Sequence, residues 1–206
     1  MSSKERDSEA FGRALEIDAL KALAHPLRVK LFDALATFGA ATASGLGERL
    51  GESSGATSYH LRQLAKHDLV REVEGRGNAR ERWWERTPGG IMLNAVDESD
   101  AARHATEIVA KEWQSARERL LNEFLLQGPG ALTKEWMEAS TVNTANLAAT
   151  VEEVDEFMEK MAKLISDFAD AHRDRTVPGT RPVQIQFSIF PVIGGEEVPP
   201  STPTES

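Results

Sequence analysis

The side chains with the most recognition chemistry to offer lie between Ser53 and Thr87. Ser58, Tyr59, Arg62, Gln63 and Lys66 fall on one side of a helical wheel, so hydroxyl, amide and cationic groups point the same way. Arginine grips guanine through two parallel hydrogen bonds and glutamine does the same with adenine, each pair contributing ~1–3 kcal/mol of base discrimination. We therefore expect Ser58, Tyr59, Arg62 and Gln63 near base edges of double-stranded DNA, with Ser54 and Lys66 near phosphates. On the other side of the wheel Thr57, His60, Leu61, Leu64 and Asp68 gather as a face that can dock on a core. His60 on that inner face, and His25 ahead of Pro26, read as structural residues and not as base readers.

The elements that must hold this face are legible around it. Ser53 is an N-cap, and the helix it opens runs to about Lys66. Behind it, LVREVE and ARERWWER alternate as two strands, with Gly75-Arg76-Gly77-Asn78 as the expected hairpin tip. Arg76, Asn78 and Arg80 would then reach the DNA backbone or minor groove. Trp83 and Trp84 point to opposite faces of their strand, one into the core and one under the wing or the long helix. Upstream, Phe11 to Leu23 has helical spacing, and Pro26 ends that helix and starts the next. Leu27, Leu31, Leu35 and Phe38 carry a buried stripe to Gly39. Ala41-Thr42 caps a third helix with Leu46 and Leu50 inward, and Gly51-Glu52 turns into Ser53. Gly45 and Gly47 should weaken that third helix by ~1 kcal/mol each relative to alanine. Short helices joined by a tight turn and followed by a hairpin make a winged helix-turn-helix.

The turn Leu23-Ala24-His25-Pro26-Leu27-Arg28, the run Thr42 to Gly51 and the helix with Ser58-Tyr59-His60-Leu61 resemble the arsenical-resistance-repressor (ArsR) family of bacterial winged-helix regulators, over about residues 16 to 88. The resemblance implies a homodimeric repressor that reads a pseudo-palindromic operator and releases it when an effector binds. Three features depart from the family pattern, the first being Gly45 and Gly47 in the third helix. Asp68 stands where the family often has glycine, and aspartate tolerates the left-handed conformation such a turn needs. The chain also has no cysteine, so the thiolate metal sensing familiar in that family is closed to it.

Asp97 to Leu126 reads as a long helix, broken by Gly128-Pro129-Gly130. Val109, Trp113, Ala116, Leu120 and Phe124 form a row suited to pairing with a second copy; the competing fate is packing on the helix's own domain. Beyond it, Thr133 to Glu138 suggests a helical turn and Ala139 to Ala149 a polar strand. Thr150 and Glu153 form a capping box, and the helix behind them carries Val154, Phe157, Met158, Met161, Leu164, Ile165 and Phe168 on one face. After Pro178-Gly179, Val183, Ile185, Phe187 and Ile189 alternate as a strand. Trp113, Trp136, Phe157, Met158, Phe168 and Phe187 could line a pocket for a small organic effector, or could simply be core. Asp100, His104 and Glu107 share a helix face, but acids and histidine at that spacing are common on solvated helices, and neither metal nor cofactor is assigned.

The predicted fold class is mainly α with a β-hairpin wing: a winged helix-turn-helix, then a long dimerisation helix and a small α+β C-terminal appendage. The expected divisions are a disordered N-terminus over 1–10, the DNA-binding domain over 11–96, the dimerisation helix and its break over 97–130, the appendage over 131–193 and a disordered tail over 194–206. Charge fits this plan despite a net of −9, because residues 53 to 87 hold seven Lys or Arg against five Asp or Glu. That stretch is +2 and the remainder −11. No apolar run approaches the ~20 residues that span a bilayer, and the polar start MSSKERDSEA has no signal-peptide core, so a cytoplasmic place is expected. The absence of cysteine removes disulfides and thiol nucleophiles, and no P-loop, GxGxxG, GxSxG or HExxH is present, so no enzyme is expected. The competing function is a winged helix used for protein–protein contact without specific DNA readout.

Overall fold

A computed structural model describes residues 13–78, 81–93, 99–172 and 177–196. Strand β1 (Arg13–Ala14) leads into helices α1 (Ile17–Leu23) and α2 (Pro26–Phe38). Proline at the first position of α2 has no N–H to lose, and the Nδ1 of His25 accepts the next free one, from Leu27, at 3.2 Å. Gly39, at φ 77°, ends α2 in a conformation open to glycine. Helix α2 is the central post of the molecule, burying Leu27, Val29, Leu31, Phe32, Ala34 and Leu35 on more than one face. Strand β2 (Ala41–Thr42) precedes α3 (Ala43–Leu50), whose first turn is closed by Gly45 N–H donating to Thr42 Oγ1 at 3.1 Å. Helix α4 (Ser54–Ala65) is capped in the same way by Ser53, which accepts from Ala56 N–H at 3.2 Å. Leu23, Leu31, Leu46, Leu61, Leu64, Leu69 and Val70 meet in one fully buried core.

Several expectations need correction in this half. Residues 13 and 14 do not extend the first helix; they pair in parallel with β5 (Ile91–Met92), and Arg13 N–H donates to Gly90 at 3.0 Å. Phe11 lies outside the described residues. Phe38 leaves the buried stripe and is half exposed, its ring covered by the Arg49 guanidinium at 3.8 Å. The wing has three strands, in the order β2, β4 (Glu81–Arg86), β3 (Val70–Asn78), all antiparallel. Gly75 to Asn78 is not the hairpin tip but part of β3, where the register slips between Glu72↔Trp84 and Gly77↔Arg82. Gly77, at φ 100°, lies so close to Glu81 and to the Trp83 ring that a β-carbon would overlap the Glu81 carbonyl. The chain therefore bulges at these glycines, and Asn78 still pairs with Glu81 in the ladder.

Helix α5 runs from Asp100 to Ala131 without a break at Gly128-Pro129-Gly130. Its 32 residues span ~48 Å. Pro129 is the third residue from the helix C-terminus, so the single backbone bond it removes belongs to the carbonyl of Leu125, an exposed residue. Gly128 is buried between the Phe124 ring and the Met137 thioether, which holds the last turn in place. At the other end, Ala102, Ala105 and Val109 sink against α1 and α2. Small alanines let the helix settle closely. Val109 is thus completely buried in its own chain's core and Trp113 packs beside it, whereas Ala116, Leu120 and Phe124 are half exposed.

Helices α6 (Lys134–Glu138) and α7 (Val151–His172) follow. The capping box forms as expected, Thr150 N–H donating to Glu153 Oε2 at 2.8 Å and Glu153 N–H to Thr150 Oγ1 at 3.3 Å. The strands expected at Ala139–Ala149 and Val183–Ile189 do not form, so the described part of the appendage is helix and irregular chain instead of α+β. Alternation supplies one side of a ladder, and a strand also needs a neighbour. Gln186 instead donates to the Arg117 carbonyl of α5 at 3.1 Å.

Where α2 meets α5, Asp33 faces Trp113. The indole nitrogen of Trp113 is buried without a hydrogen bond of normal geometry. Burial pushes the Asp33 carboxyl up from 3.8 to about 6, the Trp113 indole and then Arg117, Arg86 and Arg119 pulling against it. The folded state is therefore the better proton binder between these values, and stability falls as pH rises from about 4 to 6 and stays reduced above. Asp33→Asn should stabilise the protein by roughly 1–3 kcal/mol above pH 6 and leave it unchanged near pH 4, read from thermal unfolding across that range.

Candidate nucleic-acid interface

Helix α4 has the two faces its sequence implies. Thr57, Leu61 and Leu64 are fully buried, and the Thr57 hydroxyl donates to the Ser53 carbonyl at 3.0 Å. On the outer side Ser54, Tyr59, Arg62 and Lys66 are exposed, and Ser58 and Gln63 half exposed. Among the described residues Arg62 has no ion pair, while the Lys66 ammonium donates to the Gln63 amide oxygen at 3.4 Å. The outer face is thus polar, accessible and only lightly satisfied by its own chain.

Three local devices aim that face. The first is the approach of α3 to α4: a β-carbon on Gly47 would stand 2.7 Å from the Glu52 carbonyl oxygen and 3.2 Å from Thr57 Oγ1. Gly47 is therefore what allows the two helices to close, a correction to its expected role as a weak point. The second is the end of α4, where Asp68 takes φ 53°, Asp68 N–H donates to Ala65 and Leu69 N–H to Leu64. These bonds make a Schellman motif with aspartate at the left-handed position. Thr87 Oγ1 donates to its carboxylate at 3.4 Å and the Arg13 guanidinium to its carbonyl at 2.7 Å, so the turn keeps its form without glycine.

The third device joins the turn before α2 to α4. Arg28 Nε donates to His60 Nδ1 at 3.2 Å, Arg28 also donates to the Ala22 carbonyl at 2.6 Å, and the His25 and His60 rings lie 4.5 Å apart. His60 is the hydrogen-bonded structural residue its inward position suggested, and Arg28 is the partner that sequence alone did not identify. Burial first, then the neighbouring His25 and Arg28, hold the His60 pKa below the ordinary histidine value. The unfolded chain therefore takes up the proton first, and this lock loses strength as pH falls through the ordinary histidine range.

Beside α4 lies a groove of about 250 Å³, lined by Thr42, Ala43 and Ser44 at the start of α3, Ser54, Ser58 and Arg62 of α4, and Glu81, Arg82 and Trp84 of the wing. The opening of α3 and Arg82 were not among the expected contacts. A legible signal for the first is Thr42 as a cap, since the N–H groups at a helix N-terminus suit a phosphate. In the wing, Trp84 is buried and Trp83 carries the Arg76 guanidinium on its ring at 3.6 Å. Arg71 pairs with Glu85 at 2.7 Å and Arg82 with Glu72 at 3.3 Å, so much of the wing's positive charge is neutralised across the strands. Arg80 and the Asn78 side chain lie outside the described residues.

The remaining candidates are not gathered. Asp100 pairs with Arg103, and His104 stands 4.0 Å from Glu107. Of the five aromatics and one methionine expected at an effector pocket, Phe157 and Phe187 approach at 6.3 Å, but Trp136 meets Arg181, Phe168 stacks on His172, and Trp113 faces Asp33.

A family described as a helix-turn-helix domain matches residues 23–73, from the last residue of α1 through α2, α3 and α4 into β3. No curated protein matches the chain. The fold is mostly helical, with a small antiparallel sheet after the helix-turn-helix and a long helix behind it, consistent with a winged helix-turn-helix. A domain of this kind suggests a DNA-binding regulator. Among the described residues no helix is long and apolar enough to cross a membrane.

Two glycine substitutions separate helix propensity from helix contact. Gly47→Ala should destabilise by ~1–3 kcal/mol through overpacking, against the usual gain for alanine in a helix. Gly55→Ala, where a β-carbon meets nothing within 4 Å, should stabilise by up to ~1 kcal/mol. Urea denaturation of both variants measures the difference.

Proposed function

We propose that the chain is a sequence-specific transcriptional regulator that binds double-stranded DNA as a homodimer, most simply a repressor of the ArsR type. The observation that carries this reading is the outer face of α4. Ser58, Tyr59, Arg62 and Gln63 stand on a helix whose other side buries Thr57, Leu61 and Leu64 in the core, beside a groove bounded by the wing. Ser54, Lys66 and the start of α3 serve phosphates, and Arg76, seated over the Trp83 ring, offers its guanidinium donors to the backbone. Residues 11–96 act as the DNA-binding domain, 97–130 as the link to a second copy, and 131–193 as the region through which control is exerted. In a two-fold dimer the recognition helices stand one helical turn apart, ~34 Å, on a pseudo-palindrome.

The ion-paired wing and the acidic remainder favour one other reading, a winged helix that binds protein. Binding of genomic DNA fragments at moderate salt separates the two. Arg62→Ala should cost ~1–3 kcal/mol on the selected operator and much less on random duplex. Arg76→Ala should weaken both and reduce the salt slope by ~1, measured by fluorescence anisotropy over a salt series. Equal affinity of the unmutated protein for operator and random DNA would overturn the sequence-specific reading.

A further inference from the structure

The apolar face of α7 is only partly covered by its own chain. Ala162 is buried and Val154, Met158 and Ile165 beside it are half-covered, which marks the side turned inward. The other edge of the stripe is open: Phe157 is 48%, Leu164 63% and Phe168 51% exposed, with Met161 half exposed between them. Apolar rows of this kind on a helix mark contact surfaces.

The order of that row says what covers it. Phe157, Met161, Leu164 and Phe168 are spaced four, three and four, which reads the same in both directions. If two copies of α7 cross antiparallel about a two-fold axis between Ala162 and Lys163, Phe157 of each meets Phe168 of the other, and Met161 of each meets Leu164 of the other. A surface that is its own complement is the condition for a two-fold interface. The flank is complementary too. Lys160 and Asp167 border the row on the same side, and in that crossing Lys160 of one copy faces Asp167 of the other. Within one chain Lys160 is paired with Glu156 and Lys163 with Asp167 along the helix, at 2.6 and 2.9 Å, exposed contacts that exchange at small cost.

We propose that α7 is a self-association surface, in which the Phe157, Met161, Leu164, Phe168 row packs antiparallel on the same row of a second copy of this chain. The inference rests on the homodimer in the functional reading and not on DNA specificity. The four residues would cover on the order of 400 Å² per copy, about half of the ~800 Å² per partner of a standard interface. The contact should accordingly be of micromolar strength on its own and tightened when two half-sites hold the copies together.

The full-length chain tests this directly. Sedimentation from ~1 to ~100 μM should show a monomer–dimer equilibrium. Leu164→Glu, an exposed position whose change leaves the fold intact, should shift it at least tenfold towards monomer with unchanged circular dichroism. Lys160→Asp and Asp167→Lys should each weaken association, and together restore it. Because the chain has no cysteine, an equal mixture of Phe157→Cys and Phe168→Cys chains gives a clean register test. Oxidation should give chiefly the mixed disulfide, since 157 and 157 stand ~16 Å apart along antiparallel helices. A monomer throughout, a dimer indifferent to Leu164→Glu, or 157–157 disulfides in place of the mixed species would each overturn the proposal. A dimer that behaves as expected but binds operator and random DNA alike would leave α7 association standing and remove only the sequence-specific reading.

Discussion

The closeness of α3 to α4 at Gly47 is the constraint on which the outward face of α4, the proposed readout surface, depends. A helix-turn-helix is useful only if its second helix is held at one angle by its first, and here a missing β-carbon sets that distance. With Gly47 against the Glu52 carbonyl, Thr57 is drawn under α4, its hydroxyl is satisfied by Ser53, and Leu61 and Leu64 reach the core. Everything that faces outward on α4 does so because Thr57, Leu61 and Leu64 face in. The entropy a glycine costs in a helix is local, whereas the packing it permits extends through the core.

Electrostatics is arranged in two opposed layers behind that surface. Asp33, half-buried between α2 and α5, is shifted towards its neutral form, and His60, between the turn and α4, likewise. One is a carboxyl and the other a base, so their stability slopes with pH have opposite signs and partly offset through mild acid. The wing follows a different rule. Arg71, Arg82 and Arg76 are shared out to Glu85, Glu72 and the Trp83 ring, which stiffens the hairpin while thinning the field it projects. Among the described residues that line the groove, the cation without an ion pair is Arg62, on the helix and not on the wing.

Local rules were legible in the sequence and non-local ones were not. Ser53, Thr42, Pro26, Gly39 and the Thr150–Glu153 box announced helix ends, because a cap is made within a few residues. The inner and outer faces of α4 were equally readable from their period. What failed required knowing a neighbour. Phe38 looked like the next buried position until Arg49 supplied another cover, and residues 41–42 became a strand only because Trp83 and Trp84 came alongside. Pro129 looked like a stop because its damage was judged without its distance from the helix end. The alternation at 183–189 is real, but among the described residues no partner strand accompanies it. Gly47 and Arg28 were misjudged or missed for the same reason, since each acts across a contact between elements distant in the sequence.

The unbroken course of α5 has a mechanical consequence. One end is clamped in the core by Ala102, Ala105 and Val109, and the other carries Gly128 against Met137, so the helix is a stiff rod shared by both ends of the molecule. Over ~48 Å a tilt of about 5° displaces the far tip by ~4 Å, more than half the rise of one helical turn. Small changes in the seat around Val109 are therefore magnified at the distal end, and a load applied distally returns to that seat with the same leverage.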